Sequence, residues 1–326
     1  MKKFQTIGYM GSKAKLCDMI FEEVKKRDPD AKTFADIFAG SCIVTYNALH
    51  HGYSCVSNDL ENYSCAILRG LKTPYSERLQ RMIDDLNALE GIKGDITKAY
   101  SPVGNRKYFT EENAMSIDAI LLKLNDLKDS IPNEEHDFLT ASFIISTDLI
   151  KNVSVSFSGF LKEFKKTALK KIVVKPVHTR TTAVDLTVHN KDATELKISV
   201  DVAYMDPPYN SSQYGSGFFM LNQILRFDPN IRGKSGICDY KKSTFCRKRE
   251  VADSFIQLMT NTKAKLYVLS YNNESLLSKD ELTAILQDFG TVDVIERQHK
   301  RFKCNFLNPN APSHTTEYVF FVTKNK

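Results

Sequence analysis

The chain has 326 residues, enough for one large or two modest domains with a full core, and its 42% hydrophobic and 26% charged content is ordinary for a soluble globular protein. No apolar run approaches the roughly 18 residues of a membrane span. No apolar stretch follows the lysines of Met1-Lys2-Lys3-Phe4-Gln5 either, so no secretory signal is expected and a cytoplasmic location is. Seven scattered cysteines without a Cys-x-x-Cys pair argue for reduced thiols and against a zinc ribbon or a disulfide framework.

The elements follow in chain order. Leu16, Ile20 and Val24 recur at helical spacing and predict a helix over about Lys13 to Lys26, stopping before Asp28-Pro29-Asp30. Thr33 to Phe38 reads as a buried strand, broken by Ala39-Gly40-Ser41 and followed by an apolar helix from Cys42 to His50. Ser54 to Ser57 is a short strand that ends at Asn58-Asp59. Strand, glycine turn, helix, strand and acid are the opening of a doubly wound α/β sheet.

From Glu61 to about Thr179 the pattern turns helical, with one stripe at Ile117, Leu121, Leu124 and Leu127 and another from Phe138 to Ile150. This predicts a mostly helical insertion over residues 61–179, between catalytic portions at 1–60 and 180–326. Strands are expected again at Ser199–Met205, Leu266–Ser270, Val292–Ile295 and Thr316–Val322, with a helix from Val251 to Asn261. The last two have no helical pattern between them and are expected to pair antiparallel.

The net charge of +6 is mild but unevenly spread. Residues 161–180 carry Lys162, Lys165, Lys166, Lys170, Lys171, Lys175 and Arg180 against Glu163 alone. Residues 232–249 carry Arg232, Lys234, Lys241, Lys242, Arg247, Lys248 and Arg249 against Asp239 alone, and Arg297, Lys300, Arg301 and Lys303 form a third cluster. A lysine run is commonly just a solvated face. Three of them beside candidate catalytic segments fit an anionic polymer better. Lys241, Lys242, Arg247, Lys248 and Arg301 are the expected contacts to such a polymer.

The chemistry centres on Asp206-Pro207-Pro208-Tyr209, directly after an apolar strand, where α/β folds bind ligands. The exocyclic nitrogen of a base is a poor nucleophile because its lone pair is delocalised into the ring. A carboxylate from Asp206 and the carbonyl of Pro207, accepting the two amine hydrogens, would draw that nitrogen toward tetrahedral geometry. The prolines stiffen the loop and remove competing N–H donors, and Tyr209 offers a face for an extruded base. By itself the motif positions an exocyclic amine without saying which ring carries it, so an amine of RNA or of cytosine also fits. A non-catalytic DNA-binding module would not need Asp206 and Tyr209. A dehydrogenase would need a Gly-x-Gly-x-x-Gly fingerprint, and Asp36-Ile37-Phe38-Ala39-Gly40-Ser41 does not supply one. Gly40 is a ligand turn or a plain one; Asp59 is a ribose acceptor or a helix cap. Gly11-Ser12-Lys13 is a helix opening that also offers a cation to a carboxylate.

Together these segments resemble the Dam-type family of adenine-N6 DNA methyltransferases. Tyr9 to Lys13 is similar to its N-terminal aromatic-x-Gly-Gly/Ser-Lys segment. Phe38-Ala39-Gly40-Ser41-Cys42 is similar to its Phe-x-Gly-Ser/Ala-Gly motif, with the final glycine replaced by Cys42. Asn58-Asp59 matches its Asn-Asp pair; the run from Asp206 to Asp228, Ser270-Tyr271-Asn272-Asn273 and Lys300-Arg301-Phe302 resemble the FokI-type modification branch. The resemblance implies a Rossmann-like sheet, a target-recognition role for residues 61–179, and S-adenosylmethionine as cofactor. It implies Tyr9, Lys13, Asp36, Phe38, Gly40, Asp59, Asp192 and Asp206 around that cofactor, with Lys13 toward the methionine carboxylate and Asp192 toward the adenine. It implies double-stranded DNA as substrate and a cognate restriction endonuclease as a candidate partner. No metal is called for, since a sulfonium methyl is already activated and the protein's tasks are positioning and desolvation.

Overall fold

The computed structural model describes residues 4–179, 185–300 and 314–324. A 3-10 turn at Lys13–Lys15 precedes α1 (Cys17–Arg27), so the first helix starts later than its periodicity suggests. Its Ile20, Phe21 and Val24 are buried on one face, and Lys25, Lys26 and Arg27 sit in the last turn, where cations favour the helix dipole. β1 (Thr33–Asp36), α2 (Ile43–His50) and β2 (Ser54–Asn58) complete the predicted opening, with β1 and β2 parallel from Thr33 beside Ser54 to Asp36 beside Ser57.

The helices that follow are α3 (Asn62–Gly70), α4 (Glu77–Asn87), α5 (Asp95–Tyr100), α6 (Glu111–Leu127) and α7 (Asn133–Leu149). Residues 150–179 are not helical, unlike the stretch before them. Side-chain amides hold this strap against the helices: Asn113 donates to the carbonyls of Ala168 and Lys170 and accepts from the Ile172 amide. Asn87 accepts from the Val174 amide and donates to its carbonyl. Backbone satisfied by side chains has no need of a helix ladder.

The remaining elements are β3 (Leu186–His189), β4 (Ile198–Met205), α8 (Tyr214–Gly217), α9 (Phe219–Leu225), α10 (Val251–Asn261), β5 (Thr262–Asn272), α11 (Lys279–Gln287), β6 (Thr291–Lys300) and β7 (His314–Thr323). They form one sheet of order β3-β2-β1-β4-β5-β7-β6, a doubly wound α/β arrangement. β1 to β5 run parallel, and β7 inserts antiparallel between β5 and β6, so the last two strands pair as expected. No helix among the described residues is long and apolar enough to cross a membrane.

Alternation along the strands divides the core in two. Phe34, Tyr204, Val268 and Phe321 point to the face covered by α1, α2, α3 and α7. Ala35, Ala203, Met205, Leu269 and Phe320 point to the face covered by α10 and α11. Ile67 of α3 and Phe143 of α7 share the first cluster with the sheet, and α4 and α6 pack on α7. β1 has β2 on one side and β4 on the other, so the chain reverses direction of winding between β1 and β4. Asp36 lies beside Tyr204 across that gap, which makes the carboxyl ends of these two strands the expected ligand crevice.

α3 and α7 approach closely at Gly70, where an added Cβ would lie 2.3 Å from the Ala141 Cβ and 2.9 Å from the Asp137 carbonyl oxygen. Gly70→Ala is expected to lower stability by about 1–3 kcal/mol by overpacking. Urea unfolding checks this; an unchanged midpoint would mean that the two helices separate freely.

Candidate active site

The turn after β1 is built by the residues that end β2. The Gly40 amide donates to Asp59 Oδ2 at 2.6 Å, and the Glu61 amide donates to Asp59 Oδ1 at 2.8 Å. The Asn58 side chain donates to the carbonyls of Ile37 and Lys191, each at 3.1 Å, and accepts from the Lys191 amide. The Asn-Asp pair therefore ties the ends of β1, β2 and β3 into one rim. Gly40 has φ +49°, and a Cβ there would meet the Tyr9 ring at 2.7 Å, so both the backbone and the close approach need glycine. Cys42, where the resembling motif has glycine, keeps a glycine-like backbone at φ 65°.

The segment before α1 lies across this rim. Tyr9 stacks on Tyr214 at 5.1 Å and on Phe218 at 4.8 Å between ring centroids. Gly11 has φ +76°, and a Cβ there would fall 2.8 Å from the Tyr209 hydroxyl oxygen. The Tyr214 hydroxyl donates to the Met10 carbonyl at 3.2 Å. Two residues after Gly11 the chain delivers Lys13, only 4% exposed, with its ammonium 3.1 Å from Asp206 Oδ1 and 3.6 Å from Glu317 Oε2.

Asp206 follows β4 directly, and its side chain is 17% exposed. Its carboxyl is held up at about 6, raised first by burial, lowered in part by Lys13 and raised again by Glu317. Burial alone would depress the Lys13 ammonium; Asp206 and then Glu317 outweigh that and hold it well above the ordinary lysine value. The carbonyl of Tyr209 accepts from the Leu276 amide at 2.8 Å, so the Asp-Pro-Pro-Tyr loop is fastened to the segment after β5. The Tyr209 ring packs edge-on to Tyr271.

These pieces surround an open cleft, with about 830 Å³ of empty space when the solvent at its mouth is included. Tyr9, Lys13, Phe38, Gly40, Asp59, Asp192, Asp206 and Pro208 line it, so residues singled out from distant parts of the chain meet in one place. Asp192 contributes one oxygen to the Thr194 amide at 2.9 Å and hydroxyl at 2.7 Å, fixing the carboxylate at the pocket edge. Asp36 stands behind the wall. It is 1% exposed and accepts from the Thr45 amide at 3.0 Å and hydroxyl at 2.7 Å, tying β1 to α2, and burial pushes its carboxyl up to about 7.

Of the basic residues, Lys241 lines the mouth of the cleft and Lys242 is exposed beside it. Arg247 pairs with Glu250 at 2.8 Å, and Lys248 donates to the Leu276 carbonyl. Arg301 lies outside the described residues.

Several site residues were not singled out as candidates from the sequence. Glu61, Gln213, Tyr214 and Phe245 line the cleft, and Glu317 reaches Lys13 from β7. Phe245 packs edge-on against Phe38 at 5.1 Å, which makes an aromatic wall. Glu61, two residues past Asp59, had a positional signal, and Gln213 and Tyr214 lie in the run from Asp206 to Asp228 that resembles the FokI-type branch; Phe245 and Glu317 had neither.

Glu61 is 5% exposed and accepts from the Asn222 side chain at 2.7 Å; burial and then Asp59 push its carboxyl up to about 7. In the unfolded chain it ionises near the ordinary glutamate value, so between there and about pH 7 folding takes up a proton. Its destabilising effect is therefore absent at acid pH, grows as pH rises, and is complete above about 7. Glu61→Gln keeps the acceptor for Asn222 and should raise stability at pH 8 by on the order of 1–3 kcal/mol, with little change at pH 4.5. Thermal unfolding at the two pH values measures it; an equal gain at both would show that ionisation is not the cause.

Residues 9–285 match the family described as D12 class N6 adenine-specific DNA methyltransferase. The chain is 51% identical over 321 residues to the type II methyltransferase M.CviAII of Paramecium bursaria Chlorella virus 1, an alignment that covers 97% of this chain and 98% of that protein. It is 31% identical to the type II methyltransferase M.NlaIII of Neisseria lactamica, covering 98% and 99% of the two chains. With M.FokI of Planomicrobium okeanokoites it shares 32% identity over 97% of this chain and 52% of that longer protein. The matched span carries the glycine turn, the Asn-Asp rim and the Asp-Pro-Pro-Tyr loop of the cleft, and the chain belongs to the D12 class of N6 adenine-specific DNA methyltransferases.

Proposed function

We propose that this adenine-N6 DNA methyltransferase is site-specific, that it uses S-adenosylmethionine, and that it serves as the modification partner of a restriction endonuclease. The observation that supports the site is the meeting of Asp206 with Tyr9, Gly40 and Asp59 in one cleft at the switch between β1 and β4. The restriction-modification role rests on the type II methyltransferases M.CviAII and M.NlaIII, which match this chain over nearly their whole lengths.

The residues fit the cofactor. The cleft has an aromatic wall of Phe38 and Phe245, the Tyr9 ring lying over the Gly40 turn, and the carboxylates of Asp59 and Asp192 on its rim. Tyr9, Lys13, Phe38, Gly40, Asp59 and Asp192 would hold the cofactor, while Asp36 keeps the turn in place from behind. When bound, it supplies a methyl group on a sulfonium already activated for displacement.

The chain's own residues act on the acceptor. The Asp206 carboxylate and the Pro207 carbonyl accept the hydrogens of the adenine amine, which withdraws its lone pair from the ring and aims it outward. Pro207 and Pro208 hold those acceptors without adding donors that would compete. The Tyr209 ring stacks on the extruded base, and Asp206 can take the proton that the amine gives up.

Residues 61–179 are proposed to carry target recognition, with the basic strap at 162–175 and the loop at 241–248 against phosphates. Lys166, Lys170, Lys171, Lys241 and Lys242 are exposed, as phosphate-binding side chains must be. Arg301 belongs to the same proposal on sequence alone.

Asp206→Ala should lower methyl transfer to DNA by at least about 10²–10³-fold. The fold should survive, because Glu317 still faces Lys13. A tritiated-methyl assay with a thermal melt checks this, and near-normal transfer would remove Asp206 from catalysis. Replacing Lys241, Lys242, Arg247 and Lys248 by Ala should weaken DNA binding and flatten the log-log salt dependence by about 0.9 for each phosphate left unneutralised. An unchanged slope would show that these side chains bind no phosphates.

A further inference from the structure

Lys13 stands between two carboxylates, and only one of them belongs to the Asp-Pro-Pro-Tyr loop. We propose that Glu317, on β7, is a positioning residue for methyl transfer: by sharing Lys13 with Asp206 it keeps the Asp206 carboxylate available to the target amine instead of closed into an ion pair. This rests on the reading of Asp206 as the acceptor for that amine.

Geometry carries the argument. The Lys13 ammonium donates to the Gly11 carbonyl at 3.1 Å and lies 3.1 Å from Asp206 Oδ1 and 3.6 Å from Glu317 Oε2; neither carboxylate oxygen has a hydrogen-bond partner among the described residues, so both face the ammonium as ion-pair partners only. All three side chains are withdrawn from water, with Lys13 at 4% and Glu317 at 13% exposure. A buried ammonium with a single carboxylate forms a tight pair that resists giving its partner away. With two carboxylates, the cation stays compensated whichever one turns to another donor. Glu317 reaches this position because β7 runs antiparallel beside β5, placing it opposite Asn272 at the end of the sheet from which Asp206 emerges. It lies beyond residues 9–285, which carry the family match.

Among the described residues, the charged and titratable groups that interact with Asp206 come from several parts of the chain. Lys13 comes from the turn before α1, Glu317 from β7, Asp36 from β1, Cys17 from α1, Tyr204 from β4 itself, and Tyr209 and Tyr214 from the segment that follows. Lys13 is the cation among them, and Glu317 is the carboxylate that shares it. Arg297 is paired with Glu317 in register on β6, but its side chain is exposed. Neutralising Glu317 removes a repulsive neighbour from Asp206 and leaves Lys13 to it alone. The amine would then face a carboxylate that is both less basic and already engaged.

The test uses the full-length enzyme with a methylatable duplex and tritiated cofactor, and follows kcat and the pH profile of kcat/KM for Glu317→Gln. The expected result is a fall in kcat of about tenfold at pH 8, with the acid limb of kcat/KM moved to lower pH by about one unit. Cofactor affinity should change less than twofold. Glu317→Asp, which keeps the charge, should return the limb toward its original pH. A loss of kcat with the limb unmoved in Glu317→Gln would mean a structural role and overturn the proposal, as would unchanged kcat. Asp206→Asn measured alongside separates the two readings. If it is inactive while Glu317→Gln behaves like the native enzyme, Glu317 alone is ruled out. If Asp206→Asn stays active, the role of Asp206 falls and this proposal with it.

Discussion

A lysine ammonium withdrawn from water must have a carboxylate beside it, and in this protein that requirement joins the start of the chain to the end of β4. Leaving Lys13 buried without Asp206 and Glu317 would cost several kcal/mol, so the segment from Tyr9 to Lys13 has little freedom to lie elsewhere. Its other contacts then follow. Gly11 passes beneath the Tyr209 hydroxyl, and the Tyr9 ring comes to rest on Gly40. The pair also holds the Asp206 carboxylate against a hydrophobic surround that would otherwise favour its protonated form.

The rim of the cleft depends on backbone conformations that few residues tolerate. Gly40 meets that demand by having no side chain. Cys42 meets it at a cost of roughly 1–2 kcal/mol for a left-handed L-residue. Its side chain offers something in return. The buried thiol lies 3.4 Å from the Ser64 carbonyl on α3, so the turn is attached to the next helix. The Asp59 carboxylate completes the rim by accepting the amides of Gly40 and Glu61, which means that one acid shapes the turn and borders the cleft.

The helical region and the basic loop are not independent of each other. Arg106 donates to the Lys234 carbonyl at 3.1 Å and the Gly233 carbonyl at 3.2 Å, and the Tyr100 hydroxyl donates to the Gly236 carbonyl at 2.8 Å. Gln223 of α9 donates to the Tyr100 hydroxyl at 2.8 Å, closing the connection to the helix that follows the Asp-Pro-Pro-Tyr segment. These hydrogen bonds fasten residues 233–236, which precede Lys241, to the helical region, and the innermost of them lie in a low-dielectric setting where they are strong.

Alternation and helical spacing are local properties, and they determined much by themselves: the opening strand-helix-strand unit, α10 from Val251 to Asn261, and the antiparallel final pair. The Asp-Pro-Pro-Tyr loop and the Asn-Asp pair were legible for the same reason, since each is a contiguous run at a strand end. β3 was not, because Leu186 and Val188 are its only apolar residues. α8 was hidden by Gly215 and Gly217, which lower helix propensity, and α11 was not read either, although Ser278 and Glu281 form a capping box at its start. What tertiary structure alone decided is which carboxylate each charged group meets. Lys13, Asp206 and Glu317 lie on three separate segments, Asp36 faces Thr45 and not the cleft, and Glu61 finds Asn222 on α9. Electrostatic pairing acts through space across the sheet, and the order of residues along a chain carries no direct record of it.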